Sequence, residues 1–253
     1  MDETTATVTL ERRSNVAVLT LVNPSARNAI TPGMGDILCE LCDQLDADPT
    51  IGAVVVRGAD GQFCAGADRR TWDPTADQSD EEQYGAFTSI YSAFTRVGTL
   101  KAPTIAAVRG SAVGAGLNLA MSTDLRIVAD SARLMAGFMR IGLHPGGGFF
   151  TLLNRLTQRE ATAALGIFSE EVNGTRAMNL GLAWDSVADD AVEDRAFELA
   201  ERAAQDPELA RQFVRSFRTE TDGPGLTWEA AVHFERATQM WSQRRRGKAG
   251  ARG

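Results

Sequence analysis

Two short glycine-rich turns, each placed between an apolar run and a helix-like segment, constrain the fold of this chain most. The first is Phe63–Asp68 (FCAGAD) and the second is Gly110–Asn118 (GSAVGAGLN). Small residues at such a turn let a ligand approach the backbone closely. The start of a helix also leaves backbone N–H groups without partners. Two such turns that converge on one point could therefore hold a carbonyl oxygen as it gains negative charge.

The apolar runs indicate a sheet of mainly parallel strands. Buried strands are predicted at Ile51–Val56, Thr104–Val108 and Leu125–Val128, and helix-like segments separate them. A hairpin is predicted from Val8–Leu10 and Val16–Leu21. Strands that alternate with helices in this way are typical of an α/β fold with crossover connections.

Helices dominate the rest of the pattern. Thr31-Pro32 predicts a helix start, since a hydroxyl cap is followed by proline at the first helical position. Another helix is predicted from about Glu82 to Val97. The C-terminal part is predicted to be mainly helical, with long segments at Asp189–Gln205, Pro207–Arg218 and Leu226–Trp241.

Composition and net charge indicate which kinds of partner and which cellular compartment to expect. The chain has 253 residues, a net charge of −7 and a composition that is ordinary for a globular protein. This charge gives no support to nucleic acid or an anionic membrane as partners, and the basic run 244–248 is expected to be a solvated terminus. No apolar run is long enough to span a bilayer and no signal-peptide pattern is present, so a cytoplasmic protein is expected. The three cysteines form no metal set.

Several motifs occur in an order that is known from one protein family. These segments, by residue number, are 23–29 (NPSARNA), 63–68 (FCAGAD), 101–110 (KAPTIAAVRG), 114–120 (GAGLNLA), 142–148 (GLHPGGG) and 177–183 (AMNLGLA). Together they cover roughly residues 8 to 190. The chain therefore resembles the crotonase (enoyl-CoA hydratase/isomerase) family.

The resemblance implies both a fold and a ligand. The fold would be a spiral of β-β-α repeats over residues 1–190, followed by a C-terminal helical region, 191–253, that packs in trimers. The assembly would be a homotrimer or a dimer of trimers. The ligand would be an acyl-CoA thioester, with coenzyme A as part of the substrate and no tightly bound cofactor.

The resemblance also assigns roles to individual residues. The backbone N–H groups of Ala67 and Ala115 correspond to the family's oxyanion hole. Arg27, the backbone near Ala65, and Arg70 correspond to positions near the CoA nucleotide. Guanidinium groups suit phosphates in an otherwise acidic protein.

Four positions bear on catalysis. Three of them lack the catalytic group that the family uses, and the fourth carries an acid that is expected to be structural. Hydratases of the family use two glutamates, and the matching positions here are Asn118 and Phe138. Asn118 cannot exchange a proton near neutral pH, and the Phe138 side chain has no polar atom. Family dehalogenases use an aspartate nucleophile, and the matching position here is Gly146. Asp68 matches a family acid that borders the substrate site, and a structural role is expected for it.

These departures leave several hypotheses for the function. The first hypothesis is an enzyme whose reaction is not standard hydration, with His144 or a loop acid as its acid or base. The second is an acyl-CoA binding protein without catalysis. An ordinary hydratase with acids from other positions is a third hypothesis, and a protease that uses Ser111 is a fourth. A decarboxylase of the family needs no obligate base, since loss of carbon dioxide itself forms the enolate. Other residues considered for the acyl side are Asp73, Asp77 and Tyr84.

Overall fold

A computed structural model describes residues 6–71 and 79–221, together with 227–230, 232–233, 236, 239–240 and 244 of the C-terminal segment. Asp73, Asp77 and most of the basic run 244–248 lie outside the described residues. Within the described part of the chain, no helix is both long and apolar enough to cross a membrane.

The fold is built on a sheet of six strands. In chain order these strands are β1 (Thr7–Arg13), β2 (Val16–Val22), β3 (Ala53–Gly58), β4 (Thr104–Val108), β6 (Leu125–Ala129) and β9 (Asp185–Val187). β1 and β2 form the antiparallel hairpin, and the neighbours from β2 to β9 pair in parallel. The predicted hairpin and the predicted parallel strands are confirmed.

A second, smaller sheet lies beside the first. It contains β5 (Ser111–Val113), β7 (Arg133–Met135) and β8 (Glu171–Val172), and single bridges from Cys64 to Ala112 and from Ile30 to Ala67 extend its ladder. Each turn of the chain therefore contributes one strand to the large sheet, one short segment to the small sheet, and then a helix. The family resemblance implied this repeat, but the residue pattern alone did not, because two or three residues are too short to show a strand period.

Eight α-helices have defined bounds among the described residues, and the described positions 228–230, 232–233, 236, 239–240 and 244 of the C-terminal segment are helical as well. The eight α-helices are α1 (Pro32–Ala47), α2 (Asp80–Gly98), α3 (Ala115–Ser122), α4 (Phe149–Leu156), α5 (Arg159–Gly166), α6 (Gly174–Asn179), α7 (Val192–Ala203) and α8 (Pro207–Thr221). The Thr31 hydroxyl accepts a hydrogen bond from the Met34 N–H, so the predicted start of α1 is confirmed. α2 begins with a capping box formed by Ser79 and Glu82.

The core lies between the large sheet and its helices. α7 packs on β3, β4 and β6, while α1 packs on α2, and α2 contacts α3. Farther along, Arg211 of α8 donates hydrogen bonds to backbone carbonyls at the end of α1 and just beyond it, including those of Leu45 and Asp48. The division at residue 190 stays a prediction, but α7 and α8 are firmly joined to the preceding core.

One close backbone contact fixes the start of α3. A Cβ placed on Gly116 would lie 2.3 Å from the Cys64 carbonyl oxygen and 2.8 Å from the Cys64 Cβ. Only glycine lets the helix approach the first glycine-rich turn this closely. The two turns recognised in the sequence are therefore in direct contact.

We expect Gly116→Ala to lower the free energy of unfolding by about 1–3 kcal/mol, because the added methyl group would force α3 away from Cys64. Gly85→Ala is the matched control, since Gly85 lies in α2 with open space at the Cβ position. That control should raise stability by up to about 1 kcal/mol through helix propensity. Denaturant unfolding of the three proteins checks this; equal midpoints for Gly116→Ala and the wild type would contradict it.

Candidate active site

A cavity of about 270 Å³ lies where α2, α3 and the glycine-rich turns meet. Its wall is largely apolar, and its lining residues in the described part of the chain include no Asp, Glu, His, Lys or Cys. The predicted site residues among them are Ala65, Ala67, Ala115, Asn118 and Phe138. The structure therefore brings together five of the nine predicted site residues.

Two backbone N–H groups in this wall have no acceptor among the described residues. The residues on either side of Ala67 make the hydrogen bonds of its bridge to Ile30. The Ile30 N–H donates to the Gly66 carbonyl at 2.8 Å, and the Asp68 N–H donates to the Ile30 carbonyl at 2.8 Å. Ala115 is the first residue of α3, so its N–H has no intrahelical acceptor. Gly114 precedes it at φ 53° and ψ −112°, a left-handed conformation that favours glycine.

Asn118 lies one turn along α3 from Ala115 and is only 2% exposed. Its Nδ2 donates to the Gly147 carbonyl oxygen at 2.7 Å, and the Trp228 indole N–H donates to the same oxygen at 2.9 Å. The Asn118 Oδ1 is buried and receives no hydrogen bond from the described part of the chain. This side chain holds the third glycine-rich loop against α3.

Phe138 occupies the wall on the other side of the α3 start. Its ring packs edge-on against Phe149, with 5.2 Å between the ring centroids. It also lies close to Gly114, where a Cβ would be 3.7 Å from the ring. An aromatic ring therefore packs beside Gly114, the residue just before α3.

The predicted nucleotide-binding arginines lie outside the cavity wall. The exposed Arg27 is held in a left-handed conformation at φ 50°, and its carbonyl accepts the Ala65 N–H at 3.0 Å. Arg70 donates through its guanidinium group to Asp68, at 2.6 Å for the shortest contact, and to the Ser25 hydroxyl. The cations that do line the cavity are Arg69 and Arg140.

Asp68 is buried and has structural hydrogen bonds, as expected. It accepts from the Arg70 backbone N–H, the Arg70 guanidinium and the Asn23 side chain. The hydrogen bond from the Arg70 guanidinium is the main cause that lowers the pKa of Asp68, and burial of the carboxylate opposes it. The carboxylate thus fixes the chain just after Ala67.

His144 and Ser111 are not among the residues that line the cavity. The His144 Nδ1 lies 2.7 Å from the Pro145 carbonyl oxygen, and its ring lies 6.5 Å from that of Phe150. The Ser111 hydroxyl bonds to Gln62 at 3.3 Å. Tyr84 is also outside the wall, and the Arg236 guanidinium lies 3.2 Å from its ring centroid.

Besides Arg140, sequence reasoning missed two uncharged polar residues of the wall. Tyr91 and Gln239 both line the cavity, and the Gln239 Nε2 donates to the Tyr91 hydroxyl. The apolar residues Phe87, Ile90 and Phe94 share a face of α2 with Tyr91, and this helical spacing could have indicated it. Gln239 comes from the C-terminal segment and carries no local signal.

We expect Asp68 to give the wild type an acid-sensitive part of its stability. Because the folded-state pKa is lowered, this contribution is present above the unfolded-state pKa of about 3.9 and is lost as pH falls through the folded-state value. Asp68→Asn should therefore unfold at a lower temperature than the wild type at pH 7, and the difference should narrow toward pH 3. The exposed Asp60 provides the control, since Asp60→Asn keeps a residue that tolerates its left-handed backbone. A difference in melting temperature that is constant with pH would contradict this assignment.

Comparison with known proteins identifies the family. The family model described as enoyl-CoA hydratase/isomerase matches residues 11–249. The chain is 37% identical over 218 residues to a "Probable enoyl-CoA hydratase EchA14" of Mycobacterium tuberculosis, which covers 86% of this chain and 83% of that protein. It is 33% identical to the 1,2-epoxyphenylacetyl-CoA isomerase of Escherichia coli, over 81% of this chain and 80% of that protein.

Solved structures agree with this assignment. A structure of Pseudomonas aeruginosa PA4980 is 33% identical and superposes with a TM-score of 0.78, covering 90% of this chain and 97% of that one. An enoyl-CoA hydratase of Mycobacterium smegmatis is 26% identical with a TM-score of 0.79, covering 92% and 90%. The expected fold is confirmed, and the chain belongs to the enoyl-CoA hydratase/isomerase family with a crotonase fold.

Proposed function

We propose that this protein binds an acyl-CoA thioester and stabilises negative charge on its carbonyl oxygen without performing the two-glutamate hydration reaction. The supporting observation is the cavity itself, which combines the unpaired N–H groups of Ala67 and Ala115 with a described wall that lacks any carboxylate or imidazole. Two fixed donors suit an oxygen that becomes an enolate, since preorganised N–H groups stabilise developing charge. Arg69 and Arg140 would meet the anionic parts of the ligand.

The described cavity wall has no carboxylate or imidazole to serve as an acid or base, and this limits the reactions that the site could catalyse. Addition of water to an enoyl thioester needs a base for the water and an acid for the α-carbon. Asn118 offers neither, and Phe138, which the resemblance matches to the second acid, has no polar atom in its side chain. His144, another candidate, is not among the described residues that line the cavity.

Decarboxylation of a thioester with a carboxylate on its α-carbon is the second candidate reaction. Breaking the bond between the α-carbon and the carboxylate releases carbon dioxide and leaves the electron pair as an enolate, whose α-carbon then takes a proton from water. No side chain has to remove a proton. A wall with two N–H donors and no base favours this reaction over a hydrolase mechanism through His144. Ligand binding without turnover is the other outcome that the same wall allows.

We expect Ala115→Pro to remove one donor while the helix persists. Proline lacks the N–H and is tolerated at the first position of a helix. The residue before a proline avoids the right-handed helical conformation, and Gly114 is not in that conformation. The affinity for a conjugated enoyl-CoA should fall about tenfold relative to free CoA, and the red shift of its bound absorbance band should be largely lost. Ala115→Gly keeps the N–H and is the control.

The binding experiment decides the proposal directly. Calorimetry compares CoA, acetyl-CoA and the enoyl-CoA, and thermal unfolding shows whether each variant is folded. If no thioester binds more tightly than CoA, or if a folded Ala115→Pro protein keeps the full red shift, the assigned oxygen site is wrong.

We further expect the wild-type protein to leave enoyl-CoA essentially unhydrated. The described wall contains no group that can deprotonate water, so the enoyl absorbance should not decay above the rate without protein. A two-glutamate hydratase of the family, tested in the same assay, is the positive control. Rapid hydration by the wild type would show that an acid and a base come from residues outside the described wall.

A further inference from the structure

Tyr91 supplies the one side-chain hydroxyl group among the described residues that line the cavity. It lies on α2 and is 8% exposed. Its ring runs beside the third glycine-rich loop, since a Cβ on Gly147 would lie 3.3 Å from it. The proposed function makes no use of this hydroxyl group, although a phenol carries a proton that it can transfer.

Tyr91 lies near the first turn of α3, where the Ala115 N–H would hold the thioester oxygen. Asn118, one turn along α3, donates to the Gly147 carbonyl at 2.7 Å, and Gly147 in turn lies against the Tyr91 ring. Tyr91, Ala67 and Ala115 therefore border one cavity. The α-carbon of a bound thioester is one bond from its carbonyl carbon, so it would lie in the same space.

The Gln239 amide holds the Tyr91 hydroxyl group from the side of the C-terminal segment. Gln239 is 2% exposed, its Nε2 donates to the hydroxyl oxygen, and both residues line the cavity. The amide is itself confined, because a Cβ on Gly146 would lie 2.4 Å from its Oε1. This donor stabilises the phenol oxygen more when that oxygen becomes negative, since hydrogen bonds to charged groups are stronger than neutral ones.

A buried cation adds to this effect. Arg236 is 5% exposed, and its guanidinium carbon lies 3.2 Å from the centroid of the Tyr84 ring and 5.4 Å from that of the Tyr91 ring. Its hydrogen bonds within the described part of the chain go to neutral acceptors, the Tyr84 carbonyl and the Thr88 hydroxyl. A positive charge that no described carboxylate pairs with favours negative charge on a nearby phenol oxygen.

A phenol can serve as an acid at neutral pH without serving as a base. An ordinary phenol has a pKa of about 10, so it is protonated, and the α-carbon of an enolate binds a proton more tightly than a phenolate does. Proton transfer from the hydroxyl group to that carbon is therefore favourable, whereas removal of a proton from water is not. This combination suits a reaction that forms its enolate without a base.

We propose that Tyr91 is a catalytic residue that delivers a proton to the α-carbon of the enolate, with Gln239 as its positioning residue. This inference rests on the proposed function, because it takes the enolate oxygen to lie at Ala67 and Ala115. Loss of carbon dioxide leaves an electron pair on the enolate, this pair forms the new C–H bond, and the Tyr91 O–H bond breaks. The phenolate then takes a proton from water, and the hydroxide that remains combines with the carbon dioxide as bicarbonate.

Hydrogen exchange at the α-carbon tests this role even where no carbon dioxide is released. The hydroxyl group that delivers a proton must also be able, once ionised, to remove that proton. In deuterium oxide at about pH 9, the wild type should therefore replace one of the two α-hydrogens of propionyl-CoA about a hundredfold faster than buffer alone does. Mass spectrometry measures the rate, and one hydrogen is expected because Tyr91 would reach one face of the ligand.

Matched variants assign the exchange to one hydroxyl group. Tyr91→Phe should reduce the exchange to the rate in buffer while propionyl-CoA, measured by calorimetry, still binds. Tyr84→Phe is the control, because it makes the same change on the same helix, under the same Arg236 guanidinium, at a residue outside the described cavity wall. Thermal unfolding shows whether each variant is folded.

A third variant tests the positioning role of Gln239. Gln239→Leu removes the donor to the phenol oxygen, so the exchange rate should fall about tenfold, the usual effect of one hydrogen bond to a charged group. The dissociation constant of propionyl-CoA should change little. A purely structural role would instead weaken binding together with the exchange.

The outcomes separate this inference from the proposed function. If propionyl-CoA binds more tightly than CoA but the wild type does not accelerate its exchange, Tyr91 is not the proton donor. Exchange that persists in folded Tyr91→Phe, or that is lost equally in Tyr84→Phe, also overturns the inference. If no acyl thioester binds more tightly than CoA, the proposed function itself fails.

Discussion

The contact between the two glycine-rich turns is the constraint on which the candidate site depends. The Cys64 N–H donates to the Ser111 carbonyl at 2.9 Å, and the Val113 N–H donates to the Cys64 carbonyl at 3.1 Å. Gly116 then brings the first turn of α3 against Cys64. These contacts set Ala67 and Ala115 on one cavity wall, so the position of both N–H groups follows from backbone hydrogen bonds and not from side chains that could turn.

Much of this arrangement could be predicted from the sequence, because the signals are local. Glycine turns after apolar runs predicted where the chain reverses, and Thr31-Pro32 predicted the start of α1. The short strands β5, β7 and β8 could not be predicted, since their pairing depends on how successive turns of the chain stack. Gln239 could not be predicted for the same reason: its place at the cavity depends on the path of the whole C-terminal segment.

The charged residues show a different limit of sequence reasoning. Arg70 has the residue type and position expected for a phosphate contact, yet its guanidinium is engaged by Asp68 and Ser25. Arg140, which the motifs did not single out, lines the cavity and also donates to the Ser169 carbonyl at 2.8 Å. A motif specifies that an arginine is present, but the competing acceptors that surround it in space decide which ligand it can reach.

Asn118 has a structural role at a position where the family resemblance leads one to expect an acid. An ionised carboxylate has no donor, so it could not bond to the Gly147 carbonyl as the Asn118 amide does. The amide therefore closes the third glycine-rich loop onto α3, and the Trp228 indole reinforces the same carbonyl. The cost is one buried oxygen, the Asn118 Oδ1, that has no hydrogen-bond donor among the described residues. The residue at the position that the resemblance assigns to the family's first glutamate thus has a structural role, because its amide joins α3 to the third glycine-rich loop and so fixes one wall of the cavity.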